Sequence, residues 1–358
     1  MRIIAIDLGK FHSCVCFYDR SDGTHRFEKI VTTPRSVHDL LAEHRPDRLV
    51  IEACHLAGWV VDLATALEIE TQVANANSEG WRWKNVKKKA DPDDALKLCR
   101  LSAMDQLSLV HVPEKAVRQW RSLIHYRGTL VDRRTMIRNH IRSLIDAQGL
   151  QEQMPRGSVG FNSESIRHLQ SLARPLGTCS PEQLWRGQLH SELAALEAND
   201  QLIDQAEARL DELAEANEQV RRVRTIPGVG NRMAEIAVAM IDDPHRFANG
   251  RQVGSYAGLT PRRYQSGEMD RHGRISRAGN GRLRKLLVQI AWGMVAQGYN
   301  ARGREIFNHV CRGSPARRKQ AAVALARRVL IWCWAMMRDG TEWDQQHGHR
   351  QPLARIGG

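Results

Sequence analysis

"IIAIDLGKFHSCVCFYD", residues 3–19, holds two β-rich runs, IIAIDL and SCVCFYD, separated only by GKFH. Two such runs joined by a short glycine-bearing stretch predict a β-hairpin. The first run ends on an acid, Asp7, and Gly9 follows where the chain turns. After the hairpin come an amphipathic stretch (SVHDLLAEH), a β-rich run (DRLVIEAC), a helical stretch (GWVVDLATALE) and a third apolar run (TQVANA). Strands alternating with helices imply an α/β sheet layered by helices. Residues 1–112 are read as that domain.

The rest of the 358-residue chain is helical in pattern. From Pro113 to Leu150, Leu123, Leu130, Ile137, Ile141 and Leu144 recur at helical spacing among many arginines, Arg134 and Arg138 included. Residues 151–180 lack clear periodicity and read as a connector or an irregular insertion. In 186–222, Leu189, Leu196, Ile203 and Leu210 fall seven apart, a coiled-coil seam broken where Glu192 and Asn199 occupy the second apolar position. The seam reads as a long antiparallel or dimeric coiled coil, and an ordinary amphipathic helix in a bundle fits the same residues equally well. Residues 113–223 are therefore expected to be a linker and oligomerisation region, making a dimer or tetramer through the coiled coil. Residues 224–345 form a third, Gly- and Arg-rich region. Its last helix, near 315–337, carries a Trp/Met face that reads as core.

Composition narrows the partners. Lys and Arg number 53 against 40 Asp and Glu, a net charge of +13, which favours a polyanion such as nucleic acid. The seven cysteines show no CxxC pair, so neither a zinc ribbon nor a disulfide framework is suggested, and a reducing cytoplasm fits. No apolar run is long and uncharged enough to span a bilayer, which points to a soluble protein.

Four acids stand at positions where chemistry is expected. Asp7 ends the first strand and Glu52 ends "RLVIEA"; neighbouring strand ends converge on one sheet edge, where ligands bind. In "VKKKADPDDALKLCRL", 86–101, Asp91 and Asp94 are three apart and face one side of a helix, whereas Asp93 points elsewhere. Carboxylates of this kind hold Mg²⁺ (or Mn²⁺), and two such ions could clamp the attacking and leaving oxygens of a phosphodiester. For Asp91 and Asp94, simple stabilisation of a helix start remains an alternative. Lys87, Lys88 and Lys89 fit an approaching phosphate backbone.

A second constellation lies further on. "RTIPGVGNRMAEI", 224–236, has the form of a helix-hairpin-helix turn, with Gly228 and Gly230 allowing a tight bend and backbone N–H groups offered to a phosphate. The stretch 251–288 is strongly basic; Arg262, Arg263, Arg274, Arg277 and Arg282 suit a sugar-phosphate backbone.

"IAIDLGK", "LVIEA" and "KADPDDALKL" together resemble the D-E-D-D pattern of the RuvC-like domain in insertion-sequence one-ten family transposases, with Ala90 where a polar residue is usual. "YAGLTPRRYQSGE" and "ISRAGNGRLRKLL" resemble that family's second domain, with Arg277 in place of the usual Lys. The resemblance implies an RNase H-like N-terminal fold whose four acids bind divalent metal. It further implies a catalytic serine in the Ser-Gly pair, Ser266, and a structured noncoding guide RNA pairing with donor and target DNA. A DNA recombinase acting through a serine–DNA intermediate is the expected function. A RuvC-like junction endonuclease without serine chemistry and a non-catalytic nucleic-acid-binding protein are the alternatives.

Overall fold

The computed structural model describes residues 1–75, 91–153, 160–266 and 269–343. The chain divides into two compact units, Met1–Arg118 and Gln119–Gly358.

In the first unit the expected hairpin is present. Strands β1 (Arg2–Asp7) and β2 (His12–Asp19) pair antiparallel, with Asp7 opposite Cys14. Gly9 permits the turn, because a Cβ there would collide with the carbonyl oxygen of His12. Strand β3 (His25–Val31) pairs antiparallel with β2. Helix α1 (Pro34–His44) follows, its first turn capped by the Thr33 hydroxyl, which accepts from the Ser36 N–H. Next come β4 (Arg48–Glu52), α2 (Ala57–Ala66), β5 (Glu70–Ala74) and α3 (Asp91–Ala103). The sheet order is β3-β2-β1-β4-β5, with β1, β4 and β5 mutually parallel.

Side-chain alternation splits the core into two layers. Ile4, Ile6, Leu49 and Ile51 pack against Val37 and Leu41 of α1 and Val60 of α2. Ile3, Ala5 and Val50 face Ala95, Leu98 and Cys99 of α3. Strands buried on both faces read as continuous apolar runs, which is why β1 and β4 stand out in the sequence. Strand β3 does not: six of its seven residues are exposed, leaving no alternation to see.

The second unit is mostly helical: α4 (Lys115–Ala147, starting in the first unit), α5 (Ser163–Leu172), α6 (Leu184–Ala216), α7 (Glu218–Arg224), α8 (Asn231–Ile241) and α9 (Gly250–Tyr256). A two-stranded antiparallel hairpin follows, β6 (Pro261–Ser266) and β7 (Met269–Ile275). Helices α10 (Gly281–Gln297), α11 (Ala301–Cys311) and α12 (Arg318–Asp339) complete it. The stretch expected to be an irregular connector contains α5.

The heptad seam of α6 is real, but its partner is α4 of the same chain. Ile137, Ile141 and Ile145 cluster with Leu189, Leu193 and Leu196, and Leu130 with Ile203 and Ala206. The pairing is antiparallel: Arg127 bonds Glu207, Arg134 lies 3.4 Å from Asp200, and His140 lies 3.0 Å from Glu192. The two seam breaks are polar partners, since Asn199 donates to the Leu130 carbonyl at 3.1 Å. The seam is thus covered within one chain, as the antiparallel form of the reading has it. A heptad pattern specifies an apolar stripe, not the chain that covers it.

Helix α12 buries Cys333, Trp334, Met336 and Met337 in the largest core cluster, so its Trp/Met face is core, as expected. Trp334 Nε1 donates to the Pro244 carbonyl at 2.8 Å. All seven cysteines are free. Among the described residues no helix is long and apolar enough to cross a membrane.

Candidate active site

The register of the sheet brings the first two acids together. Ile6 of β1 pairs with Ile51 of β4 in parallel, and each strand's next and last residue is the acid, Asp7 and Glu52. Both share strand parity with Ala5 and Val50, so both belong to the face that α3 covers.

Helix α3 runs antiparallel to these strands. Near its C-terminus, the Ser102 carbonyl accepts from Arg48, the first residue of β4. Further back, Cys99 Sγ donates to the Cys16 carbonyl, and Cys16 pairs with Ala5. From Cys99 back to Asp94 the helix rises about 7.5 Å at 1.5 Å per residue. From Ala5 to Asp7 the strand advances about 6.6 Å. The two displacements match, so Asp94 stands at the level of Asp7. Its side chain is buried, 5% exposed, whereas Asp93 is exposed.

Asp91 is the first residue of α3; its side chain, and Lys87, Lys88 and Lys89, lie outside the described residues. Among the described residues no three His, Cys, Asp or Glu side chains form a ready-made metal group. Asp7, Glu52 and Asp94 nonetheless offer hard oxygen donors of the kind Mg²⁺ takes, with waters and substrate oxygens completing its shell.

Ser266 is the last residue of β6, and its backbone pairs with Met269 of β7. The stretch is too polar to show strand alternation.

Behind the hairpin two turns interlock. Gly258 (φ +67) and Gly279 (φ +77) have no room for a Cβ, which would strike the carbonyl oxygens of Ala278 and Tyr256 respectively. Backbone bonds join the turns, Ser276 N–H to the Thr260 carbonyl and Arg277 N–H to the Gly258 carbonyl. Arg284 closes the join, with Nη1 donating to the carbonyls of Ala257 (3.1 Å), Ala278 (2.8 Å) and Gly279 (3.1 Å). Desolvation, followed by the charge of Arg277, lowers its pKa. In sequence Arg284 is one more positive charge of the basic 251–288 stretch; Gly258 and Gly279, whose turns it joins, are the signal of a backbone clamp.

The other arginines divide by partner. Arg134 and Arg138 flank Asp200. Arg282 pairs with Asp132 at 3.1 Å and bonds Thr129, fastening α10 to α4. These three guanidinium groups are committed to helix packing. Arg262, Arg274 and Arg277 are exposed, Arg277 in the left-handed region at φ 57; the Arg263 side chain lies outside the described set. Gly228 (φ +90) turns between α7 and α8 with Met294 against it, while Gly230 caps α8 in open space.

A five-stranded sheet in the order β3-β2-β1-β4-β5, with acids ending its two central parallel strands, defines an RNase H-like, RuvC-like domain followed by a mostly helical region. A family model described as "Transposase IS116/IS110/IS902 family" matches residues 220–306, and a DEDD transposase model of the IS110 family matches 4–148. The transposase for insertion sequence element IS1111A of Coxiella burnetii is 28% identical over 94% of this chain and 90% of its own. A "probable family 20 transposase" of Pseudomonas aeruginosa is 28% identical over 88% and 92%. RuvC of Thermus thermophilus in complex with a Holliday junction substrate covers 31% of this chain and 99% of its own at 14% identity, with a TM-score of 0.23. At that score the fold rests on the sheet order, not on the superposition. The chain belongs to the IS110 family of transposases, enzymes that cleave and rejoin DNA.

Proposed function

We propose that this transposase recombines donor and target DNA of an insertion sequence through a covalent serine–DNA intermediate, guided by a structured noncoding RNA. The observation that carries the catalytic part is the register that ends β1 and β4 on Asp7 and Glu52, with Asp94 level with them on α3. Asp7, Glu52, Asp91 and Asp94 would hold Mg²⁺ or Mn²⁺, which supplies charge stabilisation at a phosphate.

Ser266 is the proposed nucleophile. Its Oγ–H bond breaks, an Oγ–P bond forms and a P–O bond to a deoxyribose oxygen breaks, the proton ending on the departing hydroxyl. Rejoining exchanges Oγ for the hydroxyl of a second strand, so the phosphodiester bond energy is kept. The exposed Arg262, Arg274 and Arg277 lie on the same hairpin and the turn after it, and support backbone binding there. The open cap at Gly230 offers the N–H groups of α8 to a phosphate. Sequence selection by base pairing follows from the guide-RNA reading. Assembly of copies would use a surface other than the α6 seam.

The test is to trap labelled DNA on the denatured protein in the presence of Mg²⁺, comparing wild type with Ser266→Ala. The expected result is an adduct in wild type that Ser266→Ala lacks. An equal adduct in both, or cleavage with none in either, rejects the serine mechanism and favours a RuvC-like metal-dependent endonuclease.

A further inference from the structure

We propose that the cleft at the N-terminal end of β1, walled by Phe17, Arg26 and His44, holds an unpaired base of a single-stranded nucleic acid, with flanking phosphates on Arg2 and the exposed edge strand β3. The proposal rests on the reading that this chain handles nucleic acid, and not on the chemistry of the acids. Arg2 and Asp7 stand at opposite ends of β1, about 17 Å apart at 3.3 Å per residue, so the cleft is separate from the carboxylates.

The cleft has a volume of about 380 Å³. That falls within the range of small-ligand sites, roughly 300–1,000 Å³. Ile3, Ile4 and Pro46 also line it. On the wall, the Arg26 guanidinium carbon lies 3.6 Å from the Phe17 ring centroid, a stacking distance. His44 meets the same ring edge-on, at 4.7 Å and 82°. The Arg26 side chain is 56% exposed, so the outer side of the stack faces solvent, while one N–H reaches Glu28 at 3.4 Å. An exposed guanidinium plane backed by an aromatic ring is a surface on which a base stacks. Asp19 on the rim is kept an acceptor: the Ser21 N–H and hydroxyl donate to it and hold its carboxyl below the usual range. An amino group on a base edge is a matching donor.

The other face of the edge strand carries a second aromatic surface. Strand parity places His25, Phe27 and Lys29 on the face of β3 opposite Arg26. His25 and Phe27 pack edge to face at 5.5 Å, and Phe27 is 42% exposed. Aromatic faces interleaved with positive charge are how single strands are held irrespective of sequence. Arg2 and Arg26 line the cleft and offer guanidinium N–H groups to phosphate oxygens. A duplex presents base edges rather than faces and cannot fill such a site.

The experiment measures fluorescence anisotropy of the full-length protein with a labelled unstructured RNA 12-mer, the matching DNA 12-mer and a DNA duplex, at one fixed salt concentration. The variants are Arg26→Lys, which keeps the charge and loses the plane, and Phe27→Leu, which loses an exposed ring; unchanged thermal midpoints check folding. Each variant is expected to bind at least one single strand roughly tenfold more weakly, with duplex affinity unchanged within about twofold. The more affected single strand, RNA or DNA, is the occupant. Unchanged single-strand affinity in Arg26→Lys overturns the proposal whatever Phe27→Leu does, and so does an equal loss on the duplex, which marks a plain phosphate contact. Strand cleavage is not read here, so either reading can fail without the other.

Discussion

Replacing Glu235 with glutamine tests the electrostatics of the helical unit most sharply. Glu235 is 1% exposed, beside a cavity of about 250 Å³ lined from α4, α6, α8 and α10. Its carboxylate lies 2.9 Å from Arg232 of α8, which also pairs with Asp211 of α6. Arg127 and Glu207 form a further pair across α4 and α6, and Arg282 and Lys285 of α10 pair with Asp132 of α4. Burial outweighs the attraction of Arg232, and the pKa is pushed up from 4.5 to about 7. The folded state therefore holds a proton that the unfolded state releases between those values, so stability falls as pH rises through that window. At full ionisation the cost is about 3 kcal/mol, at 1.36 kcal/mol per pKa unit. Urea unfolding of wild type and Glu235→Gln at pH 5 and pH 8.5 reads the difference. The variant should gain about 2–3 kcal/mol relative to wild type on going from the lower to the higher pH. A pH-independent difference, or one of opposite sign, would refute the reasoning.

Arg284→Ala removes charge-assisted bonds to three carbonyls, of which two can be well formed by one Nη1, a loss of about 3 kcal/mol; calorimetry should show the melting temperature lowered by roughly 6–12 °C. Gly279→Ala should destabilise by more than about 1 kcal/mol, since it adds a backbone clash to the cost of a positive φ, and denaturant titration checks it. Asn199→Leu should raise the stability of the α4–α6 pair by about 1 kcal/mol, because the buried Asn199 Oδ1 lacks a hydrogen-bond partner; an unchanged or lower unfolding midpoint would contradict that.

Central elements were legible because burial writes itself into sequence. β1 and β4 are apolar on both faces, and an acid ending such a run is conspicuous at Asp7 and Glu52. The edge strand β3 escaped because an exposed strand carries no apolar alternation, and the hairpin β6–β7 because its sequence is too polar to show one. The α6 heptads announced a seam but not that α4 fills it. Charge counting was the weakest guide. It grouped Arg134, Arg138 and Arg282 with Arg262 and Arg274, although the first three face Asp200 and Asp132, and partners distant in sequence leave no mark in composition. Asp93 and Asp94 are adjacent and chemically alike; helical phase alone buries one and exposes the other.

That difference gives the most direct test of the claim that Asp7, Glu52 and Asp94 form one site. The measurement is the initial rate of DNA strand cleavage at saturating Mg²⁺ for Asp94→Asn and Asp93→Asn, with folding checked by thermal midpoint. The account predicts a loss of about 100-fold or more for Asp94→Asn and a wild-type rate for Asp93→Asn. A wild-type rate in Asp94→Asn, or an equal loss in both, would contradict it.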